Sequence, residues 1–140
     1  MTEDEWRAFL TAPVRPAVLS TVRADGTPHA APIWYAIDDD DGAVVFNTGA
    51  DTVKGRNLRR TPTVSLCVQD DQPPYAFCIV EGRAEISVDL GEVRRWATVI
   101  GGRYMGADRA EEFGARNGVP GETVVRVPPT KVVAFRDIAD

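Results

Sequence analysis

The stretch AVLSTVRADGTPHAAPIWYAID, from Ala17 to Asp38, decides the fold class because it contains two apolar runs on either side of a tight turn. Its Asp25-Gly26 pair is typical of a hairpin turn, since glycine readily adopts the positive φ that such turns require. The next turn, DDDDG, also contains Asp-Gly, and the apolar run AVVFNTG follows it. These three runs predict a meander of antiparallel strands.

Further apolar runs and short helices complete the predicted fold. The runs are TVSLCVQ from Thr63, YAFCIVEGRAEIS from Tyr75, and TVVRVPPTKVVAFRDI near the end of the chain. A Thr2–Glu5 capping box predicts an N-terminal helix that ends before Pro13, and apolar spacing predicts helices over 90–104 and 109–116. Six runs that do not alternate regularly with helices predict a mainly β fold, a small antiparallel barrel, rather than a layered α/β sheet.

Length, charge and composition exclude several classes of protein. A chain of 140 residues is about the size of one domain, so residues 1–140 are predicted to form a single unit. The net charge of −5 argues against nucleic-acid binding, and no apolar run approaches the roughly 20 residues of a membrane span. The acidic segment MTEDEWRAFL does not resemble a secretory signal, which predicts a cytoplasmic protein. With one histidine, His29, and two cysteines without ligand spacing, neither a metal site nor a Ser/His/Asp triad is expected.

The run PHAAPIWYAI, residues 28–37, is apolar on both sides if it forms one strand. Its two faces are then His29, Ala31, Ile33, Tyr35 and Ile37 on one side, and Pro28, Ala30, Pro32, Trp34 and Ala36 on the other. One face can line the core, so the other requires cover by a partner subunit or a flat aromatic ligand. Pro32 lacks an N–H group and suits a bulge or an edge beside a site.

The segment NTGADTVKGRNLRRTP, residues 47–62, places four cations in seven residues of an acidic chain. Asp51 is the predicted N-cap of a helix that ends at Pro62. The amides at the start of this helix belong to Thr52, Val53 and Lys54. Such a start attracts phosphate through its unpaired donors and the helix dipole, and the Lys54 ammonium strengthens the attraction.

The other side chains of this helix leave two readings open. The helical wheel places Val53, Asn57 and Leu58 near one face. The arginines, which are Arg56, Arg59 and Arg60, then point to solvent or toward a long anionic ligand. The alternative is an exposed basic face that keeps the protein soluble and binds nothing.

The two cysteines lie in neighbouring runs. If DDQPP closes a hairpin in which Asp70 faces Tyr75, Cys67 and Cys78 lie directly opposite each other. Because a cytoplasmic location keeps thiols reduced, we interpret them as two free core thiols rather than a disulfide.

Three segments together resemble a known family. They are RPAVLSTVRADGTPHAAPIWYAID (residues 15–38), FNTGADTVKGRNLRRTPTVSLCV (46–68) and FCIVEGRAEI (77–86). Their order and spacing are similar to those of the split β-barrel flavin and deazaflavin oxidoreductases related to pyridoxamine 5'-phosphate oxidase. The similarity is strongest to the actinobacterial branch that uses coenzyme F420.

The resemblance implies a homodimer of six-stranded Greek-key-like split barrels with two cofactor sites at the subunit interface. It implies a cofactor phosphate at Thr52, Val53 and Lys54, a segment leading into that site at Asn47, Thr48 and Gly49, and a cofactor ring beside Pro32 and Trp34. It also implies that Tyr75 reaches into the site from the other subunit. The arginine and lysine that pyridoxamine 5'-phosphate oxidases carry in the strand matching residues 30–37 are absent, and their Ser-Arg-Lys run is replaced by Thr-Val-Lys. Oxidation of pyridoxamine phosphate is therefore not expected.

The resemblance leaves three functions open. The first is an F420-dependent reductase that transfers a hydride to an unsaturated small molecule. The second is an FMN-binding oxidoreductase, and the third is a non-catalytic binder of a flavin, F420 or haem. No catalytic residue is assigned: Tyr35 or Tyr75 could donate a proton but is interpreted as packing, and His29 as a structural residue after a turn. The substrate is expected to contact the region after Leu90, where glycines predict either a mobile lip or a plain loop; these are Gly101, Gly102 and Gly106.

Overall fold

Two antiparallel sheets and four helices make up the protein, and the computed structural model describes all residues from 1 to 140. The helices are α1 (Glu3–Thr11), α2 (Val53–Arg60), α3 (Leu90–Met105) and α4 (Ala110–Asn117). The strands are β1 (Ala17–Val22), β2 (Pro28–Ile33), β3 (Ala36–Ile37), β4 (Val44–Gly49), β5 (Thr63–Asp70), β6 (Ala76–Arg83), β7 (Glu85–Ser87), β8 (Glu122–Val127) and β9 (Pro129–Phe135). The first sheet has the order β2-β1-β5-β6-β9 and the second has the order β3-β4-β8-β7. The predicted mainly β class is confirmed, and none of the helices has the length and apolar character needed to cross a membrane.

Three of the six predicted runs bend and change sheets, so that six runs form nine strands. The run over 28–37 forms β2 in the first sheet and β3 in the second, with Trp34 and Tyr35 between them. In the same way, Ala84 separates β6 from β7, and Pro128 separates β8 from β9. The prediction of one continuous strand over 28–37 is wrong, because the chain turns a corner there to enclose the core.

The main core lies between the two sheets and contains 16 buried residues. The first sheet contributes Leu19 and Leu66, and the second contributes Phe46 and Val125. Helices α1 and α2 add one leucine each to this core, so they close its ends. Cooperative burial of these side chains is the dominant favourable contribution to folding.

A second, smaller core covers the outer face of the second sheet. Helix α3 presents Val93, Trp96, Ala97 and Ile100 as a buried stripe, which confirms the predicted inner face of this helix. Three of these side chains pack on strand residues that include Val45 and Val124. The second sheet is therefore buried on both faces, which explains why β4 is an uninterrupted apolar run at its start.

The outer face of the first sheet, by contrast, lies open. Val18 is 46% exposed, and it pairs with Pro32 on one side and Cys67 on the other. Cys67 pairs with Ile79, which in turn pairs with Val133. Because each of these residues lies directly beside the next, an apolar row crosses all five strands. We call this surface the open face.

The local signals at two turns and one helix start are confirmed. Gly26 and Gly42 both have positive φ, at 85° and 75°, in the turns that the Asp-Gly pairs predict. At the start of α1 the Thr2 hydroxyl accepts from the Glu5 amide, and the Glu5 carboxylate accepts from the Thr2 amide. Short-range chemistry thus fixes these boundaries independently of the core.

The predicted register of the cysteine hairpin is wrong by one residue. Asp70 pairs with Ala76 and not with Tyr75, because five residues rather than four connect β5 to β6. A shift of one residue moves a side chain to the other face of a sheet. Cys67 therefore lies on the open face while Cys78 is buried in the core, and both are free thiols.

The interpretation of the glycines after Ile100 as a mobile lip is wrong. Gly101 and Gly102 lie inside α3, and a Cβ atom added at Gly101 would lie 2.3 Å from the Phe113 side chain on α4. The glycine allows the two helices to approach closely. Gly106 ends α3 as its C-cap, so the region is a packed helical hairpin rather than a loop.

We expect the free energy of unfolding to fall as the pH rises above about 9. Burial raises the pKa of Cys78 to about 11 and the pKa of Tyr35 to about 12, from ordinary values of 9.0 and 10.0. An acid whose pKa is raised by folding stabilises the protein fully below its unfolded pKa and loses that contribution as the pH rises toward its folded pKa. Urea unfolding at pH 8 and pH 10.5 measures the difference. The difference in free energy of unfolding between the two pH values should be smaller in Tyr35→Phe and in Cys78→Ala than in the native protein. Equal stability of the native protein at both pH values would contradict the prediction.

Candidate functional site

One cleft brings together residues from both sheets and three helices. It has a volume of about 380 Å³ and is lined by Pro16, Pro32, Ile33, Trp34, Asn47, Lys54, Ala97, Ile100, Gly101 and Asn117. One wall is the stripe of α3 that faces the chain between β2 and β3. Clefts of this size, mostly apolar with a few polar groups, are typical of small-molecule and cofactor sites.

The cleft is polar at one end and aromatic at the other. Asn47 lies at the beginning of α3, where its amide nitrogen donates to the carbonyl oxygens of Val93 and Thr123, each over 3.3 Å. Trp34 lies at the end of α3, where its ring stacks on Tyr104 with centroids 5.0 Å apart and planes 2° from parallel. The cleft can therefore hold a ligand with chemically different ends.

The Trp34–Tyr104 stack is held in place by hydrogen bonds to the backbone. The Tyr104 hydroxyl donates to the Arg15 carbonyl over 2.7 Å and accepts from the Tyr35 amide over 3.2 Å. Phe113 contacts the indole edge-on with centroids 6.2 Å apart. One face of the indole is thus occupied, yet Trp34 stays 41% exposed. The free part of the ring can contact a flat ligand.

The start of α2 differs from the prediction in its cap. Thr52, and not Asp51, is the N-cap, because its hydroxyl accepts from the Gly55 amide over 3.0 Å. The same hydroxyl lies 3.0 Å from that of Thr48. The helix ends at Arg60, with Thr61 as its C-cap, just before the Pro62 that is predicted to stop it. The Thr52 amide donates to the Gly49 carbonyl, so two of the three predicted donors, the amides of Val53 and Lys54, remain free at this anion-attracting helix start.

The buried face of α2 is also partly different from the prediction. Asn57 and Leu58 are buried, as predicted, but Val53 is 42% exposed and Gly55 takes its place on the inner face. Gly55 fits there because a Cβ atom would lie 2.1 Å from the Gly49 carbonyl oxygen. The helix therefore packs tightly against the end of β4.

The cations of α2 have no acidic partners. Lys54 lines the cleft and forms no ion pair, and the same is true of the arginines on this helix. Arg59 donates to the Ala50 carbonyl, and Arg60 donates to the Val22 carbonyl and to Asn57. The four cations of α2 are therefore not neutralised by an acidic side chain of the protein, which leaves them available to an anionic ligand.

Of the nine residues implied by the resemblance, the structure brings four together in the cleft. These are Pro32, Trp34, Asn47 and Lys54. Thr48 is buried behind the site, where its carbonyl accepts from Thr123, while Gly49, Thr52 and Val53 form the turn into α2 and its first residue. Tyr75 is remote from this cleft, in the connection between β5 and β6 beside Ile138.

The sequence does not single out the remaining cleft residues individually; they are Pro16, Ile33, Ala97, Ile100, Gly101 and Asn117. The last four of these lie in the region after Leu90, where the sequence predicts contact with the substrate. The stripe of α3 is predicted to pack, and it does both, since its edge also forms the wall of the cleft. No local signal marks Asn117, because only the folding of α4 onto α3 brings it to the cleft.

The structure argues against Tyr35 as a proton donor. Its ring is only 1% exposed, and its hydroxyl donates to the Leu10 carbonyl over 2.6 Å. Tyr35 does not line the cleft, and its pKa is raised to about 12 by burial. The only ionisable side chain that lines the cleft is Lys54.

We expect His29→Ala to leave ligand binding in the cleft within twofold of the native affinity. His29 lies on β2 opposite Thr21, does not line the cleft, and has a buried Nδ1 atom with no hydrogen-bond partner. Its removal therefore breaks no polar contact to a ligand. A fluorescence titration of the variant measures the affinity, and a tenfold loss would show that His29 contributes to the site.

The comparisons with known proteins agree with this architecture. Residues 2–135 match the family model of pyridoxamine 5'-phosphate oxidase. The chain belongs to the pyridoxamine 5'-phosphate oxidase family. That family groups flavin and deazaflavin oxidoreductases.

Solved structures within this fold include proteins of several kinds. Rv2991, a conserved hypothetical protein from Mycobacterium tuberculosis, is 28% identical, with a TM-score of 0.85 over 98% of this chain and 86% of that chain. A structure named F420 reductase is 27% identical, with a TM-score of 0.70 over 89% of this chain and 94% of that chain. General stress protein 26 from Bacillus anthracis shares the fold at 19% identity, with a TM-score of 0.67 over 96% of this chain and 95% of that chain. Proteins with this fold thus carry names that refer to different functions.

Proposed function

We propose that the protein is a cytoplasmic F420-dependent reductase of the actinobacterial branch, with the cofactor in the cleft and an unsaturated small molecule as substrate. The carrying observation is the arrangement of the cleft, which has the unpaired Lys54 at the start of α2 and an apolar wall that includes the Trp34–Tyr104 stack. The cytoplasmic location stays a prediction from the sequence.

The residues present fit a deazaflavin cofactor. Lys54 and the first amides of α2 can hold a phosphate through charge-assisted hydrogen bonds. Trp34 and Pro32 can contact a tricyclic ring, and Ile100 on α3 can cover it from the opposite wall. A cleft that is polar at one end and aromatic at the other suits a cofactor whose phosphate and ring are joined by a ribityl chain.

Two observations favour F420 over FMN. The F420 side chain continues beyond its phosphate into a chain of carboxylates, and Arg56, Arg59 and Arg60 are exposed cations without acidic partners. FMN ends at its phosphate and gives these arginines no ligand. The similarity to the F420 reductase structure over 89% of this chain agrees with this choice. FMN binding and a non-catalytic carrier remain the alternatives.

A homodimer is part of this proposal. The second sheet is covered by α3, whereas the open face of the first sheet exposes an apolar row from Pro32 to Val133. An apolar sheet face of this kind is typical of a subunit interface. The same face of a second copy of the chain can pack against it about a two-fold axis. Pro32 belongs to both the open face and the cleft, so the dimer would border the cofactor site. We propose that Tyr75 completes the cleft of the other subunit.

The chain itself contributes binding and exclusion of water rather than acid–base chemistry. When bound, the reduced deazaflavin supplies a hydride to the unsaturated bond of the substrate. Ile33, Ile100 and Ala97 line an apolar wall that orients a flat substrate and keeps water away. Because Lys54 is the only ionisable side chain in the cleft and is assigned to phosphate, the proton that completes the reduction would come from solvent.

An activity screen tests this function. The purified protein is mixed with reduced F420 and a panel of enones and quinones, and oxidation of the cofactor is followed by its absorbance. We expect turnover with at least one acceptor and none when reduced FMN replaces reduced F420. Turnover with reduced FMN and not with reduced F420 would show that the protein is an FMN-dependent oxidoreductase. Tight F420 binding without turnover on any acceptor would support a non-catalytic carrier.

A further inference from the structure

Asn117 is a polar cleft residue whose position nothing in the fold requires. It is the last residue of α4, it lines the cleft, and its exposed carboxamide takes part in no hydrogen bond within the chain. It does not provide the helix cap, because the C-cap is Gly118. Its carboxamide is therefore available to a ligand.

The hairpin of α3 and α4 holds Asn117 in place. A Cβ atom at Gly114 would lie 1.9 Å from the Thr98 hydroxyl, and one at Gly118 would lie 2.7 Å from the Cα atom of Arg94. These contacts press the last turn of α4 against the first half of α3. Asn117 is consequently fixed beside the part of α3 that Asn47 contacts through Val93. It lies at the polar end of the cleft, whereas the Trp34–Tyr104 stack lies at the other.

We propose that Asn117 is a ligand-binding residue that holds the anionic end of the cofactor from the side opposite α2. Its carboxamide donates to a phosphate oxygen while Lys54 and the first amides of α2 hold the same group. The anion is then bound by a lysine, a helix start and an amide from three separate elements. This assignment rests on the proposed function. It gives α4 a role in binding, because Asn117 would position the phosphate and thereby the ring of the cofactor.

Two substitutions of Asn117 separate a ligand contact from a packing role. Asn117→Asp keeps the size of the side chain but places a carboxylate beside the phosphate, and Asn117→Ala removes the donor. Ala115→Asp is the matched control, because it adds the same charge to an exposed position of the same helix. If Asn117 has a structural role, both Asn117 variants should unfold at a lower temperature than the native protein. If it contacts phosphate, only the affinity for phosphate-bearing ligands should change.

The test is a set of fluorescence titrations with F420, FMN and their counterparts without phosphate, which are the riboflavin-like deazaflavin and riboflavin. We expect Asn117→Ala to weaken F420 binding about tenfold, the typical effect of one hydrogen bond to a charged group, and Asn117→Asp to weaken it further. Binding of the phosphate-free deazaflavin should stay within twofold in both, and Ala115→Asp should behave as the native protein.

Two other results have separate meanings. Native F420 affinity in both Asn117 variants, or an equal loss with and without phosphate, would overturn the assignment of Asn117 while leaving the proposed cofactor intact. If the native protein binds neither F420 nor FMN, the proposed function itself is overturned, and the role of Asn117 with it.

Discussion

Lys54→Ala weakens F420 binding ten- to a hundredfold. Lys54 lines the cleft and has no acidic partner in the folded chain, so its ammonium is free to hold the cofactor phosphate. A hydrogen bond to a charged group contributes about 1.5 to 3 kcal/mol, which corresponds to the expected range of affinity. The measurement is a titration of the variant with F420, followed by tryptophan or cofactor fluorescence.

The other lysine of the chain is the matched control. Lys131 is on the edge strand β9, where it lies 3.9 Å from Glu81 and is remote from the cleft. Lys131→Ala removes the same formal charge and should leave the affinity within twofold, since exposed pairs of this kind contribute little. If both lysine variants bind F420 as tightly as the native protein, the phosphate is not held at α2.

Val18→Glu converts the dimer into monomers and removes most of the cofactor affinity with it. Val18 is 46% exposed at the centre of the open face, between Pro32 and Cys67. In a two-fold interface the substitution buries a carboxylate from each subunit without a partner, which costs several kcal/mol. We expect the dimer dissociation constant to rise at least a hundredfold in sedimentation velocity experiments.

Val99→Glu controls for the loss of an exposed valine. Val99 is 44% exposed on α3, away from the open face, so its substitution adds the same charge without affecting the sheet. It should remain a dimer and keep the native affinity for the cofactor. A native protein that is monomeric at micromolar concentration, or a Val18→Glu variant that remains dimeric, would contradict the proposed interface.

Features that depend on a few neighbouring residues could be predicted from the sequence. The Asp-Gly turns at Gly26 and Gly42 and the Thr2–Glu5 capping box depend on local backbone chemistry, and the structure has all of them. The helix start beside Lys54 was also predictable, although its cap is Thr52, one residue after Asp51. Asp and Thr are both good N-caps, so sequence alone does not decide between adjacent candidates.

Features that depend on the closure of the two sheets could not be predicted. Nothing local distinguishes a strand that continues through Trp34 from one that turns there to enter the other sheet. The register of Cys67 and Cys78 depended on whether four or five residues form a connection, and one residue reverses the face. Asn117 reaches the cleft only because α4 packs on α3, which is a long-range effect.

The central claim is that the cleft binds F420, and parallel titrations of the native protein with F420 and FMN test it most directly. Tryptophan fluorescence is a suitable signal because Trp34 lines the cleft and is partly exposed. We predict micromolar or tighter binding of F420 and binding of FMN that is at least tenfold weaker. Tighter binding of FMN would contradict the claim and assign the cleft to a flavin.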